Sequence, residues 1–505
     1  SRIMLLKLNL LGSIMNKMKN DLYNDFWDWL DSISIKYKNY EIKNAIIAHK
    51  YIKLVGLMHI NNVNHFNLRK SLSSIKWKLI LHLLMNRIPK RNKNKLIKKN
   101  CDSLYDLSNK NLYAINFSPN DPRDFLHIEP LVKRDNCSLV ITVRDDVYNY
   151  FNEIEIPVIL LDVSIPWRNE NDLKIHLPIT SLENKLLLSL DLSSLILLSK
   201  SASLIDLLDI ITNEYGLPQT LITLQDVHCF DSVFASYYLD KIPTITLQHG
   251  KASISKRRQN NLWKYLISDW MVVFGSNQAE ILKSSGVDSK KIKIFGTAKY
   301  DLYVDKIENK LGNNKNKRVL LGVQQIVFFK ENNKIIFNFV KEILPSKEDY
   351  KISIRFHPAV TKRNRKIFVQ KLKKLNLNYG VKIDISDIED PLEDISKSAI
   401  ILVSNTSLGM ESILLKKPVI EYLSSGKYNN KKFGDYRDFV LHASIGQDAE
   451  ILILKLLKNK DFYNKIIEKQ NKFVNKEIML PPAIPRILEF INSLHNNKRS
   501  VKNNK

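Results

Sequence analysis

Two histidines, His249 and His357, each follow a short apolar run that predicts a buried strand. Ligands of doubly wound sheets bind just beyond the carboxyl ends of the strands, where such a sheet presents its reactive groups. An imidazole with an unperturbed pKa of about 6.5 can accept a proton at neutral pH. The pair therefore predicts two sheets that face one cleft, with one histidine contributed by each.

The first histidine stands in Gln248-His249-Gly250, where a titratable base is followed by a flexible glycine. Asp226, at the end of an earlier predicted strand, would orient His249 or an acceptor hydroxyl. A simpler interpretation stays open for each residue. His249 would then be a hydrogen-bonding loop residue, and Asp226 a loop cap or a solvated charge.

The second histidine precedes Pro358, which favours an extended backbone at His357 and stiffens the turn after the strand. An imidazole held there can donate a hydrogen bond to a phosphate or to a leaving-group oxygen. Arg355 alternates to the other side of the strand from Phe356, so we interpret Arg355 as structural.

A third motif, Ser404-Asn405-Thr406-Ser407, lies between a predicted strand and a helix that opens near residue 408. A helix start has free backbone N–H groups and the positive end of the helix dipole, so flanking hydroxyls would complete an anion site. N-capping by Thr406 or Ser407 is the alternative, and both can hold together. Glu411, one turn further, would reach a ribose hydroxyl or remain a solvated charge.

Two more loops follow predicted strands. Gly322 and Gln324 end the first strand of the second half, where the loop would touch a diphosphate or a sugar. Asp301 closes a loop that begins at Phe295 and would anchor an interdomain hinge. A loop cap or a solvated charge is the alternative for Asp301.

The elements that must position these residues form a strand–helix alternation from about residue 110 onward, which is typical of a parallel sheet covered on both faces. The polar stretch 309–317 interrupts the alternation and is the best candidate for a linker. We therefore predict an α/β protein with a helical N-terminal extension (1–105), two Rossmann-like domains (106–312 and 313–478), and a C-terminal crossover helix with a basic tail (479–505).

The chain has 505 residues, enough for two or three domains, and a net charge of +26. This charge fits nucleic-acid binding, attraction to an anionic membrane or substrate, or a composition rich in Lys and Asn throughout. The lysines are dispersed and no aromatic-rich nucleic-acid motif accompanies them, so we expect no nucleic-acid partner. Cys101, Cys137 and Cys229 are too scattered for a disulfide framework or a zinc site, which favours a cytoplasmic protein.

The ordered motifs of the chain resemble those of GT-B glycosyltransferases of bacterial surface polysaccharide synthesis, including capsular polysaccharide and lipopolysaccharide. The motifs are Gln248-His249-Gly250, Val273-Phe274-Gly275-Ser276, Phe295-Gly296-Thr297 through Asp301, His357-Pro358, Ser404 to Ser407, and Lys417-Pro418-Val419-Ile420. The resemblance is to CDP-glycerol glycerophosphotransferase-like enzymes and to bacterial sialyl- and Kdo-transferases, over about residues 110 to 475. The acidic-acidic-Gly motif of sialyltransferases has no clean match, and Gln248-His249-Gly250 stands in its region.

The resemblance implies two Rossmann-like domains that face a cleft, the first binding the acceptor and the second the nucleotide donor. In the glycerophosphotransferase-like family a His-Gly motif carries the proposed base, which corresponds to His249. In the sialyl- and Kdo-transferases a His-Pro motif and a Ser/Thr motif contact the CMP part of the donor. These motifs correspond to His357 and to Ser404, Thr406 and Ser407.

The resemblance further implies transfer of a sugar or a polyol phosphate from a CMP- or CDP-linked donor, with a UDP-linked donor as the second choice. It implies no metal and no separate cofactor. The acceptor would be a glycan or a lipid-linked molecule, and the basic surface would allow peripheral contact with the anionic inner face of the membrane. The sequence does not indicate an oligomeric state.

Three other functions stay open. An isomerase of the UDP-N-acetylglucosamine 2-epimerase type shares the fold, but the His-Arg-Arg-Glu-Asn-like run that it requires is absent from the sequence. A basic nucleic-acid-binding or membrane-binding protein would not depend on the two histidines. The third possibility is an inactive, regulatory GT-B homologue.

Overall fold

The computed structural model describes residues 27–28, 31–46, 97–100, 106–120, 122–163, 173–176, 192–224, 226, 229–248, 263, 265–302, 317–323, 350–356, 360, 362–379, 383–388, 390–403, 407–422, 439–443, 446–479 and 481–502. The chain divides into two compact units. Unit 1 comprises residues 1–274, 278–299 and 483–505, and unit 2 comprises 275–277 and 300–482. The chain passes from one unit to the other near Phe274, Lys299 and Pro482, whereas the predicted domain boundaries are at 312 and 478.

The described strands of unit 1 belong to two sheets. The strands are β1 (Ser34–Tyr37), β2 (Tyr40–Glu41), β3 (Ile97–Lys99), β4 (Asn111–Ala114), β5 (Ser138–Thr142), β6 (Val158–Leu161), β7 (Leu173–His176), β8 (Thr220–Leu224), β9 (Thr244–Leu247), β10 (Trp270–Val273) and β11 (Ile292–Ile294). The main sheet has the order β11-β10-β9-β8-β4-β5-β6-β3, and its pairings are parallel except for β3 with β6. From β6 to β10 this is the Rossmann strand order, which reverses between β4 and β8.

Helices follow the strands of unit 1 in the manner of a doubly wound sheet. They are α1 (Pro122–Phe125), α2 (Glu129–Arg134), α3 (Asp145–Glu153), α4 (Leu192–Tyr215), α5 (Cys229–Tyr238) and α6 (Ser276–Ser284), which begins where the chain re-enters unit 1. Helices cover both faces of this sheet, so its strands are continuous runs of apolar residues. Every residue of β5 and of β8 is buried. In α3, by contrast, Val147 and Phe151 are one turn apart and form the buried side of an amphipathic helix.

The described part of residues 1–105 contains short strands, whereas the sequence predicted a helical N-terminal extension. β1 pairs antiparallel with β2 and with the distant β7, so that Ser34 lies opposite His176. Ile35 and Tyr37 are buried against the helices of unit 1 because they alternate with exposed Lys36. The Tyr37 hydroxyl donates to the Asp206 carboxylate of α4 at 3.0 Å. This segment is therefore part of the unit 1 core.

Unit 2 has one described sheet of six parallel strands. The strands are β12 (Arg318–Val323), β13 (Lys351–Phe356), β14 (Ile383–Ile385), β15 (Ile400–Val403), β16 (Val419–Tyr422) and β17 (Leu441–Ala443), and the helices are α7 (Lys362–Tyr379), α8 (Pro391–Ser396), α9 (Ser407–Leu414), α10 (Gly446–Lys458) and α11 (Lys460–Glu477). The strand order is β14-β13-β12-β15-β16-β17, which is again the Rossmann order. The strand–helix alternation predicted for both halves of the chain is confirmed.

The last helix, α12 (Ile484–Lys502), belongs to unit 1 although it follows unit 2 in sequence. Ile484, Ile487 and Ile491 are almost fully buried in the same apolar cluster as residues of α2 and β5. The Arg486 guanidinium donates to the Phe295 carbonyl at 3.1 Å, which ties the start of α12 to the loop after β11.

Candidate active site

Each main sheet has a point at which its strand order reverses, and ligands of such sheets bind beyond the carboxyl ends of the strands at that point. In unit 1 the reversal lies between β4 and β8, and in unit 2 between β12 and β15. Asp226 comes just after β8, while Gln324 and Ser404 come directly after β12 and β15. Asp226, Gln324 and Ser404 therefore follow strands that flank the reversal points, whereas His249 and His357 follow β9 and β13, the adjacent strands.

Several predicted site residues lie outside the part of the chain that the structure describes. They are His249, Gly250, Gln324, His357, Pro358, Ser404, Asn405 and Thr406. Their flanking elements are described: β9 ends at Leu247, β13 at Phe356 and β15 at Val403. The helix α9 begins at Ser407, so the strand before and the helix after this motif are both present.

Gln248, the residue before His249, is held by hydrogen bonds on both sides of its amide. Its Oε1 accepts from the Phe274 N–H at 3.0 Å, and its Nε2 donates to Gln278 Oε1 at 2.9 Å. Gln248 and Gln278 are 1% and 0% exposed. The end of β9 is therefore fixed to Phe274, which follows β10, and to Gln278 of α6. Sequence reasoning missed Gln278, because nothing in a helical Gln signals a buried partner.

Asp226 is fully buried and anchors a neighbouring loop. Its Oδ2 accepts from the N–H groups of Ile267 and Ser268 at 3.1 and 2.6 Å, and its own N–H donates to Thr246 Oγ1 at 3.0 Å. Burial raises the pKa of this carboxyl, and the hydrogen bonds from Ser268 oppose the increase. A solvated charge is thereby excluded for Asp226. Its Oδ1 has no hydrogen-bond partner among the described residues.

A second buried carboxyl, Asp231, lies on α5 and was not identified from the sequence. Its Oδ1 accepts from Asn116 Nδ2 at 2.5 Å, and Asn116 Oδ1 accepts from the Val143 N–H at 3.2 Å. Asn116 follows β4, so this contact spans the reversal point of unit 1. Burial and then the charge of Asp226 raise the pKa of Asp231 well above its usual range. Two acidic groups with raised pKa therefore lie at the candidate acceptor edge.

His127 is a further buried residue at the same edge, and sequence reasoning missed it. Its Nδ1 lies 2.6 Å from Thr297 Oγ1, and its ring stacks on Phe274 with centroids 5.3 Å apart. Phe274 and Thr297 belong to two of the motifs on which the resemblance rests. The sequence around His127 carries no motif that would signal a partner 170 positions away.

In unit 2, Gly322 lies at the carboxyl end of β12 where α9 approaches the strand closely. A Cβ at this position would lie 2.7 Å from Leu408 Cδ2. The Tyr422 hydroxyl donates to the Gly322 carbonyl at 3.1 Å. The glycine therefore has a packing reason in addition to its predicted place beside the donor.

Glu411 on α9 is 4% exposed, which excludes the alternative of a solvated charge. Sequence reasoning missed Glu421 of β16, which is 2% exposed and whose Oε2 lies 3.4 Å from His442 Nδ1. Asp301, predicted as a hinge anchor, is buried at the start of the unit 2 segment.

The structural interpretation of Arg355 is confirmed. Arg355 Nη1 donates to Asp394 Oδ2 at 2.8 Å, and Arg318 Nη2 donates to Asp394 Oδ1 at 2.5 Å. Asp394 is completely buried, so its charge requires both guanidinium groups. The network joins the start of β12, the end of β13 and α8.

In the described part of the chain, no group of three or more His, Cys, Asp or Glu side chains could hold a metal ion. None of its helices combines the length and apolar character needed to span a bilayer.

No family model and no curated protein sequence matches the chain. Solved structures are similar to it. MnaA from S. aureus in a structure with UDP has a TM-score of 0.50 at 16% identity, covering 77% of this chain and 97% of that chain. A protein from Listeria monocytogenes described as a UDP-N-acetylglucosamine 2-epimerase has a TM-score of 0.50 at 14% identity, covering 76% of this chain and 96% of that one. These likenesses confirm the predicted fold class, two Rossmann-like domains of the GT-B type.

Proposed function

We propose that this protein transfers a sugar or a polyol phosphate from a nucleotide-activated donor to a glycan or lipid-linked acceptor. One observation carries the proposal: β15 ends at Val403 and α9 begins at Ser407 at the reversal point of the unit 2 sheet, and the hydroxyl-bearing residues 404–406 stand between them in the sequence. A helix start at that point offers free N–H groups and the positive end of the helix dipole to a phosphate. Gly322, at the end of the neighbouring strand, allows α9 to approach.

In this mechanism His249 deprotonates the acceptor hydroxyl, with Gln248 fixing the end of its strand. His357 and the hydroxyls of Ser404, Thr406 and Ser407 stabilise the departing phosphate electrostatically. Asp226 acts as a positioning residue, because its carboxylate is buried and binds backbone N–H groups of the adjoining loop. The likeness to MnaA with UDP supports a pyrimidine nucleotide, a class that includes the CMP- and CDP-linked donors and UDP.

A second candidate is epimerisation of a UDP-sugar, which the likeness to the Listeria protein favours. The absence of a His-Arg-Arg-Glu-Asn-like run from the sequence places this candidate second. Incubation with UDP-N-acetylglucosamine and no acceptor distinguishes the two, because an epimerase forms an epimer that NMR detects. A transferase leaves the sugar unchanged until an acceptor is supplied.

The donor class is tested by thermal unfolding in the presence of CMP, CDP, UMP, UDP and GDP. A nucleotide that binds only the folded protein raises its melting temperature, by an amount that grows with ligand concentration. We expect cytidine or uridine nucleotides to raise it and GDP to leave it unchanged. Equal shifts with all five nucleotides, or none with any, would contradict the proposed donor site.

A further inference from the structure

One helix of unit 2 departs from the dispersed charge of the rest of the chain. Between Asp349 and Asp384 the sequence contains 10 Lys and Arg residues and no Asp or Glu. Most of them lie on α7, where Phe368 and Leu372 are buried in the unit 2 core. The remaining described side chains of α7 are largely exposed. The sequence interpretation of uniformly dispersed lysines is therefore wrong for this segment.

The exposed side of α7 is basic along its described length. Arg365, Lys366, Lys371, Lys373 and Lys374 are exposed. Of these, Lys366, Lys373 and Lys374 form no ion pair with any residue in the described ranges. Arg365 lies over the Phe356 ring at 5.4 Å, so its guanidinium is held near the end of β13. We define Lys366, Lys373 and Lys374 as the α7 patch.

The α11 helix of the same unit provides a contrast. It is equally long and also rich in lysine, but Asp461, Glu468 and Glu477 interrupt its positive charge. Its Lys472 pairs with Glu468 at 3.3 Å. Local charge compensation of this kind is missing from α7. An acid-free basic surface attracts an anionic partner, and its potential is strongest at low ionic strength.

We propose that the α7 patch docks the protein onto a membrane surface that contains acidic phospholipids. Each lysine near such a surface adds to the attraction, and the exposed Arg365 and Lys371 of the same helix add to that of the three lysines in the patch. Ile367 is 39% exposed between the lysines, and an apolar side chain in that position can lie against the headgroup layer. Among the described side chains of α7, the exposed ones include no aromatic ring for base stacking, since Phe368 is buried, and this disfavours single-stranded nucleic acid.

The test compares vesicle binding of the full chain and two matched variants by co-sedimentation. The first variant carries Lys366→Glu, Lys373→Glu and Lys374→Glu. The control carries Lys460→Glu, Lys465→Glu and Lys469→Glu on exposed positions of α11, which changes the net charge equally. Vesicles contain phosphatidylcholine with or without phosphatidylglycerol, at low and at high salt.

We expect the wild type to bind phosphatidylglycerol vesicles at low salt and to leave them at high salt. The α7 variant should lose about 100-fold in partition coefficient, and the α11 control much less. Should the α7 variant fail to fold, as judged by circular dichroism, the Lys→Gln triple variant replaces it. Glutamine removes the charge at little cost to helix propensity.

Three results would overturn the proposal. The first is a wild type that ignores acidic vesicles, and the second is an equal loss of binding in the two charge-reversal variants. The third is a wild type that binds a single-stranded oligonucleotide but no vesicle, with the α7 variant losing that affinity. The last result would assign the patch to nucleic acid instead.

Discussion

His127 Nδ1 and Thr297 Oγ1 lie 2.6 Å apart although 170 positions separate them in sequence. The same imidazole stacks on Phe274. Phe274 and Thr297 stand beside two of the places where the chain leaves unit 1. One buried histidine therefore holds both departing segments, and the geometry after β10 and β11 depends on it.

Replacing Thr297 with Val should destabilise the protein by about 1–3 kcal/mol, because a buried ring nitrogen of His127 loses its partner. Thr297→Ser keeps the hydroxyl and serves as the control. Urea unfolding at neutral pH measures both. If Val and Ser variants have the same midpoint, the hydrogen bond contributes nothing to stability.

Gln248→Leu should cost a similar amount, about 1–3 kcal/mol, since it removes two buried hydrogen bonds, those to the Phe274 N–H and to Gln278 Oε1. The double variant with Gln278→Leu should recover part of this loss, because two apolar groups need no partner. A double-mutant cycle measures the coupling. Simple additivity of the two single changes would show that the amide pair is not an interacting unit.

Gly322→Ala should destabilise unit 2 by about 1–3 kcal/mol through overpacking. The added Cβ would lie 2.7 Å from Leu408 Cδ2, so α9 or the leucine must shift. Shortening Leu408 to Val in the Gly322→Ala background should restore part of the loss. Gly216, where no atom lies within 4 Å of an added Cβ but φ is +83°, is a useful comparison because Ala there adds backbone strain without a clash.

Asp231 should lower the stability of the protein as pH rises, which is opposite to the usual effect of a carboxyl whose pKa is lowered by folding. The pKa of the Asp231 carboxyl is raised in the folded state. The free energy of unfolding therefore falls as pH rises above the unfolded pKa of about 3.9, because the unfolded chain ionises this carboxyl at a lower pH than the folded protein does. Below that pH both states are protonated and the effect vanishes. Asp231→Asn should therefore gain stability relative to the wild type as pH rises from about 3.

Asp146 should have the opposite effect on the pH dependence of stability, and Asp146→Asn tests it. The Arg144 hydrogen bond is the main reason why the pKa of Asp146 is lowered. The ionised Asp146 stabilises the folded protein at a pH above the pKa that this carboxyl has in the unfolded chain. This stabilisation is lost as pH falls through the lower pKa that it has in the folded protein. The Asn variant should be less stable than the wild type near neutral pH and equal to it in acid. Parallel pH profiles for Asp231→Asn and Asp146→Asn would contradict the assigned environments.

His249→Ala should abolish turnover and leave nucleotide affinity largely intact, because the base does not hold the donor. His357→Ala should weaken nucleotide binding, since it removes a phosphate contact. Isothermal titration with the nucleotide identified by thermal shift, together with initial rates, separates the two effects. A variant of either residue with wild-type rate and affinity would refute its assigned role.

Local sequence patterns predicted the parallel sheets well. The apolar run 243–247 predicts a strand, which is observed as β9, Thr244–Leu247, and the residues from Asp145 to Ile154 predict a helix, which is observed as α3, Asp145–Glu153. These elements are fixed by short-range signals, namely apolar runs and acidic residues at a helix start. The alternation predicts parallel sheets but not the order of their strands, which depends on pairing between distant segments.

Pairing between distant segments could not be predicted in the same way. β1 has four residues, and its register with β7 is set by packing in the unit 1 core. His127, Asp231 and Gln278 were missed for the same reason, because each owes its position to a partner far away in sequence. A residue type alone predicts a functional residue only when the neighbouring sequence carries a recognisable motif.

The return of α12 to the first unit has a consequence for biosynthesis. Ile484, Ile487 and Ile491 fill an apolar cluster whose other members include residues of β4, β5, α2 and α3. A ribosome delivers those isoleucines after all of unit 2. Until α12 has been made, the nascent first unit exposes the apolar surface that this helix covers, so a premature stop near residue 480 should harm unit 1 most.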